Sequence, residues 1–119
     1  MGSIPAVLFV YGTLKRGARN HRLLADQVFL GAATTAARYR VVDLGPYPGL
    51  VRDAAGGVAV HGELYAVSGC CLAELDDFEG VPELFTRELV EVDGRSGVWA
   101  YFWNGPVPDG AQTGDRWPL

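Results

Sequence analysis

Near the start of the chain lies a short, continuous apolar run closed by a glycine, Ala6-Val7-Leu8-Phe9-Val10-Tyr11-Gly12. A run of this length and composition predicts a buried first strand, with a turn at Gly12. The chain then continues through Thr13-Leu14-Lys15-Arg16-Gly17, and Gly12 could bring backbone amides close to an anion there. On spacing alone, an anion cradle and a plain structural turn are equally good interpretations of this segment.

Downstream of the turn, the pattern changes from helix to strand and back. Asn20 is a candidate cap for a short helix from His21 to about Val28, and a β-branched and aromatic stretch follows at residues 32–43. Leu50–Arg52 and Val58–Val67 flank a Gly-rich segment, which predicts a hairpin. Ser68 is then a candidate cap for a second helix.

Two further strands, Thr86–Val92 and Val98–Trp103, are separated by a turn sequence near the end of the chain. Because hairpins outnumber βαβ units, the order predicts an α+β fold with a mixed, mainly antiparallel sheet. Closing this sheet into a small β-barrel, with the two short helices flanking it, would remove its edges and create a mouth for a small ligand. The aromatic residues of the last strand are read as core packing.

The second helix carries an acid in an unexpected position. In Leu72-Ala73-Glu74-Leu75-Asp76-Asp77-Phe78-Glu79-Gly80-Val81-Pro82, a step of about 100° per residue places Glu79 between Leu72 and Leu75 on the apolar face. Glu74 and Asp77 point to the opposite, solvated face, and Asp76 lies at the edge.

Gly80 and Pro82 predict that the helix stops just after Glu79. Burial and the negative end of the helix dipole would both raise the pKa of this carboxyl toward the range of a general base. Two explanations of Glu79 without a catalytic role stay open. Its carboxylate could reach solvent at a frayed helix end, or it could be fixed by a structural partner such as Arg87.

Composition bounds the remaining possibilities. The 119 residues predict one domain, 1–119, and 49% hydrophobic with 20% charged residues is typical of a globular chain. A net charge of −4 without a basic cluster argues against nucleic acid, and no apolar run is long enough for a membrane helix. Because the start of the chain lacks a basic leader, the expected location is the cytoplasm. The adjacent Cys70 and Cys71 make no disulfide framework, and no metal-ligand spacing is present.

Several segments together resemble the gamma-glutamylcyclotransferase-like family. They are Val10-Tyr11-Gly12-Thr13-Leu14-Lys15-Arg16-Gly17, Tyr47-Pro48-Gly49-Leu50, Gly62-Glu63-Leu64-Tyr65, Leu75-Asp76-Asp77-Phe78-Glu79-Gly80 and Phe85-Thr86-Arg87. The resemblance covers nearly the whole chain in the right order. It departs at Phe85, where many relatives carry tyrosine.

The resemblance implies a small mixed β-barrel that holds a gamma-glutamyl small molecule and uses no cofactor or metal. It implies that Tyr11, Gly12, Thr13 and Leu14 bind the substrate α-carboxylate, with Pro48, Gly49 and Arg87 as further binding residues. Glu79 would take a proton from the α-ammonium and later protonate the departing amine, releasing 5-oxoproline. The alternative is a domain that binds gamma-glutamyl compounds without turnover.

Overall fold

The computed structural model describes residues 5–119. These residues form eight strands, one α-helix and one 3₁₀ helix. The bounds of these elements are β1 Ala6–Val10, β2 Val28–Thr34, β3 Tyr39–Asp43, β4 Pro48–Arg52, β5 His61–Val67, α1 Gly69–Phe78, β6 Phe85–Val92, β7 Arg95–Trp103 and β8 Thr113–Gly114, with the 3₁₀ helix at His21–Leu24. The predicted single domain also includes residues 1–4, which lie outside the described residues. The expectation about a leader sequence concerns these residues as well.

The strands form one curled, mixed sheet in the order β2-β5-β1-β7-β4-β3-β8, with β6 paired to β7. β1 and β4 are both parallel to β7, whereas the remaining pairings of the described strands are antiparallel. A bridge between Thr35 and Val92 links the end of β2 to β6, so the sheet turns back toward itself. The structure is therefore mostly strands, in a barrel-like curl with one α-helix.

The first strand is buried on both faces, which explains its uninterrupted apolar sequence. Leu8 and Val10 pack in one core cluster with Leu75 of α1, while Phe9 and Tyr11 pack in a second cluster inside the curled sheet. The buried strand predicted at Ala6–Tyr11 is confirmed as β1, and it lies between β5 and β7 in the sheet.

The sheet forks at β7, and this fork positions the functional site. β6 occupies one edge of β7, so β1 and β4 must share the other edge. β1 pairs at Val98 and Trp99, and β4 pairs further along at Phe102. The chain leaving β1 and the chain entering β4 therefore lie close together, near Tyr101.

The predicted hairpin between Leu50–Arg52 and Val58–Val67 is wrong. β4 pairs with β3 and β7, whereas β5 pairs with β1 and β2. The connecting segment folds back onto β3 instead, because the Val58 amide donates to Tyr39 O at 2.8 Å and Asp53 forms a 2.7 Å ion pair with Arg40.

Two other expectations are corrected. The stretch at residues 32–43 is divided between β2 and β3, since the chain leaves the sheet after Thr34 and re-enters it at Tyr39. The first of the two predicted helices is only the 3₁₀ helix. Asn20 stands at its cap position, but its side chain accepts from no backbone amide of the helix, and its amide nitrogen donates to Thr13 Oγ1 at 3.0 Å.

The second predicted helix and the last hairpin are confirmed. Ser68 caps α1 by accepting a 3.1 Å hydrogen bond from the Cys71 amide. β6 and β7 form an antiparallel hairpin whose turn contains Gly94 at φ +76°. Between residues 5 and 119, no helix combines the length and the apolar character required to cross a membrane.

Candidate active site

A cavity of about 170 Å³ opens where the sheet forks. The turn after β1 and the end of α1 both contribute to its walls. Aromatic side chains from the loop before β4 and from β6 and β7 complete it. The lining includes Tyr11, Gly12, Thr13, Leu14, Tyr47, Pro48, Glu79, Phe85 and Tyr101.

Glu79 is the acidic residue of this cavity. Its backbone amide still donates to Leu75 O at 2.8 Å, and Gly80 follows in the left-handed region at φ +67°, which ends the helix. Within residues 5–119, its carboxylate has neither a hydrogen-bond donor nor a cation at ion-pair distance. Burial without such partners raises the pKa of Glu79 to about 7.

The turn after β1 contributes unused backbone donors to the cavity lining. Gly12 O, Thr13 O and Leu14 O all accept hydrogen bonds from the protein itself, from Lys15 N at 3.2 Å, Asn20 N at 2.9 Å and His21 Nδ1 at 2.9 Å. In the described part of the chain, the amides of the same three residues donate to no protein acceptor. A turn with tied carbonyls and unused N–H groups is suited to an anion.

Gly12 is required by close packing rather than by its backbone angle. A Cβ atom at this position would lie 2.6 Å from Cγ of Pro48, well inside contact distance. Only glycine therefore lets the turn and the start of β4 approach each other at the fork. Gly49, which follows Pro48, has a similar packing role, because a Cβ atom added there would lie 2.8 Å from the Cβ atom of Trp103.

Tyr11 holds the fork together through its hydroxyl. The hydroxyl donates to Tyr101 O at 2.7 Å and accepts from Leu50 N at 3.1 Å. Burial, reinforced by the nearby Glu79 carboxylate, raises the pKa of this phenol far above its usual range. Tyr11 thus lines the cavity as a neutral phenol whose hydrogen bonds join β1, β4 and β7.

A second polar cluster lies behind the cavity wall and was missed by the sequence analysis. Arg87 donates to both oxygens of Asp76, with Nε–Oδ1 at 2.8 Å and Nη2–Oδ2 at 3.1 Å, and its guanidinium lies over the Trp99 ring. The Tyr101 hydroxyl donates to Asp76 Oδ1 at 2.7 Å. Burial opposes ionisation of Asp76, but these hydrogen bonds outweigh it and lower its pKa.

The structure thus brings together most of the residues expected at the site. Tyr11, Gly12, Thr13, Leu14, Pro48 and Glu79 line one cavity, whereas Gly49 and Arg87 lie outside its lining. Arg87 pairs with Asp76 and not with Glu79, so the structural partner suggested for Glu79 is not found. Tyr101 was read only as core packing, and its position in the last strand gave no sign of the cavity.

Neither cysteines nor metal ligands gather at the site. Cys70 is exposed, and Cys71 is buried against the 3₁₀ helix with its thiol 3.6 Å from Leu23 O. In the part of the chain from residue 5 onward, no group of three or more His, Cys, Asp and Glu side chains is arranged to hold a metal ion.

Comparison with known proteins identifies the class. The family model described as gamma-glutamyl cyclotransferase, AIG2-like, matches residues 8–118, and the chain belongs to this family. The family resemblance is therefore confirmed, as is the prediction of an enzyme of the gamma-glutamyl cyclotransferase type.

Three relatives illustrate the range of similarity. A putative gamma-glutamylcyclotransferase of Vibrio cholerae is 41% identical over 97 residues, which are 82% of this chain and 81% of that protein. The gamma-glutamylaminecyclotransferase of Homo sapiens is 42% identical over 97 residues, but the match spans 73% of this chain and 61% of the human protein. The crystal structure of an AIG2-like protein from Mus musculus superposes with a TM-score of 0.86 at 30% identity, covering 97% of this chain and 89% of that one.

Proposed function

We propose that the protein converts a gamma-glutamyl compound into 5-oxoproline and a free amine, with Glu79 as the single proton shuttle. One observation carries this proposal. A carboxyl group with a pKa of about 7 and no protein partner among the described residues faces the same cavity as three unused backbone amides. The pair of features provides a base for an ammonium and donors for a carboxylate, which are the two charged groups at the α-carbon of a gamma-glutamyl compound.

In the proposed complex, the α-carboxylate binds the amides of Gly12, Thr13 and Leu14. This places the α-ammonium within reach of Glu79, which accepts one proton. The freed amine then attacks the γ-carbonyl carbon, forming the ring C–N bond. Because both reacting groups belong to one molecule, holding the substrate folded supplies much of the acceleration.

Collapse of the tetrahedral intermediate breaks the original C–N bond. Glu79 returns its proton to the departing nitrogen. The second proton, which the ring nitrogen loses as it becomes the lactam N–H, also passes to the released amine, so the products are 5-oxoproline and an ammonium and no further reactant is needed. The oxyanion formed on the way requires a donor, and one of the three turn amides would supply it while the other two hold the α-carboxylate. Tyr11 shapes this turn through its bonds at the fork. Gly49 and Arg87 enter the proposal only indirectly, Gly49 by positioning Pro48 and Arg87 by fixing Asp76 beside Tyr101.

The test is 5-oxoproline release from a panel of gamma-glutamyl amines, amino acids and peptides. Glu79→Gln preserves the size of the side chain but cannot accept the proton, so we expect it to lose at least about 10²-fold in kcat. Glu74→Gln, an identical change on the exposed face of α1, is the matched control and should retain the wild-type rate.

Full activity of Glu79→Gln would refute the proposed mechanism. Tight binding of a gamma-glutamyl compound to the wild-type protein without any product would instead favour the alternative, a binding domain that has no turnover.

A further inference from the structure

A second cavity, of about 380 Å³, lies beside the first and shares Gly12, Thr13 and Arg19 with it. Three of its lining residues are cations, namely Lys15, Arg16 and Arg19, and none is acidic. This contrasts with the whole chain, whose net charge is −4. A recess lined by one sign of charge concentrates small ions of the opposite sign.

Two of the three cations have no carboxylate partner among the described residues. Arg16 is neutralised by Glu63, which accepts from its backbone amide at 2.9 Å and lies 3.7 Å from its guanidinium. Lys15 donates to Trp117 O at 2.6 Å, and Arg19 donates to Pro46 O. A carbonyl oxygen orients these groups without cancelling their charge, and no carboxylate of residues 5–119 lies within ion-pair distance of either one.

The position of Arg19 suggests what this basic cavity binds. Arg19 lines both cavities, so an anion held beside it would lie next to a substrate in the first cavity. If the glutamyl α-carboxylate occupies the turn amides, the remaining part of the substrate is the group on the γ-nitrogen. A carboxylate on that group would meet Lys15 and Arg19 as charge-assisted hydrogen-bond donors.

We infer that the basic cavity formed by Lys15, Arg19 and the turn between them binds a carboxylate of the departing group. The substrates would then be gamma-glutamyl amino acids or short peptides with a free carboxylate, rather than gamma-glutamyl amines that lack one. This inference rests on the proposed function. The reaction is unchanged by it, since the amino acid leaves with the proton that Glu79 returns to its nitrogen.

The experiment compares γ-glutamylalanine with γ-glutamylalaninamide, two compounds that differ in charge but hardly in size. Calorimetry with the Glu79→Gln variant gives both dissociation constants without turnover, and the wild-type protein gives both values of kcat/KM. We expect the free acid to be favoured about tenfold in each measurement. Arg19→Gln should bring both ratios close to one, whereas Arg95→Gln, an equal charge change at the exposed start of β7, should leave them unaltered.

The outcomes separate the inference from the function on which it rests. Equal binding and equal turnover of the two compounds would overturn the inference while the cyclisation stands. A binding preference that depends on Arg19, without 5-oxoproline from either compound, would support the basic cavity and refute the proposed reaction. Failure of both compounds to bind would overturn the inference.

Discussion

Replacing Glu79 by glutamine should stabilise the folded protein at pH 8 while leaving its stability near pH 4 unchanged. Burial raises the pKa of this carboxyl from 4.5 to about 7 in the folded state, so the folded protein binds the proton more tightly than the unfolded chain does. The stabilisation that accompanies the protonated form is fully present below the unfolded pKa and is lost as the pH rises through about 7. Above that pH, the wild-type protein carries a partly buried charge that has no protein partner among residues 5–119, and the variant does not.

The size of the effect follows from the two pKa values. Each tenfold change in proton affinity corresponds to about 1.36 kcal/mol, so the free energy of unfolding of the wild-type protein should fall by about 3 kcal/mol across this pH window because of Glu79. Glutamine resembles the protonated acid in shape and polarity, so the variant should escape most of this loss. A gain of this size in a domain of about 120 residues would raise Tm by roughly 10 °C.

Equilibrium urea unfolding at several pH values from about 4 to 8 measures this difference directly. Other titrating groups are common to both proteins and cancel in the comparison. Glu74→Gln on the exposed face of the same helix is the control, and it should show no comparable pH-dependent gain. A difference between Glu79→Gln and the wild type that stays constant over the whole range would refute the reasoning, because the carboxyl would then ionise equally well in the folded and unfolded states.

Three further predictions concern the same site. With a gamma-glutamyl substrate, kcat/KM should fall about tenfold for each pH unit below 7 and level off above it, because Glu79 must be ionised to act as a base, and a steady-state pH profile measures this. Gly12→Ala should lower the free energy of unfolding by about 1–3 kcal/mol in urea titration and should also raise KM, since the new methyl group overlaps Pro48. Asp76→Asn should lower the free energy of unfolding by about 2 kcal/mol at neutral pH, because it removes the charge that accepts three hydrogen bonds. Asp77→Asn, the same change at an exposed position, should not show this loss. Since the pKa of Asp76 is lowered, that stabilisation is present above the ordinary pKa and disappears as the pH falls, so the wild type and Asp76→Asn should converge in acid.

Features set by neighbouring residues could be predicted from the sequence. The face of α1 that carries Glu79 follows from a 3.6-residue period within a single helix, and the cap at Ser68 and the stop at Gly80 are equally local. The β6–β7 hairpin is local as well, because its strands meet across one short turn.

Pairing between distant strands could not be predicted in this way. The pattern at Leu50–Arg52 and Val58–Val67 is that of two adjacent strands, but nothing in it encodes which partner each strand selects. Both parallel contacts of β7 are made to strands far away in the chain, and the fork that opens the cavity depends on them. The location of the cavity is therefore a property of topology.

The difference between Glu79 and Arg87 shows the same limit within the site. Glu79 stands out because its polarity conflicts with its helical position. Arg87 is matched by Asp76, an acid at the helix edge whose position looked unremarkable, and their bidentate contact joins β6 to α1. When the role of a side chain depends on a contact with another element, that role cannot be predicted from the sequence around the side chain.

The bond from the Tyr11 hydroxyl to Tyr101 O joins residues 90 positions apart, and it links the cavity to the order in which the chain folds. During synthesis, β1 and the turn after it emerge long before β7, so the turn cannot be held in its binding shape until nearly all of the domain is available. Contacts of such high sequence separation slow folding. They also make the site appear and disappear with the whole domain, so a ligand bound there should protect the protein against global unfolding rather than against local opening of one wall.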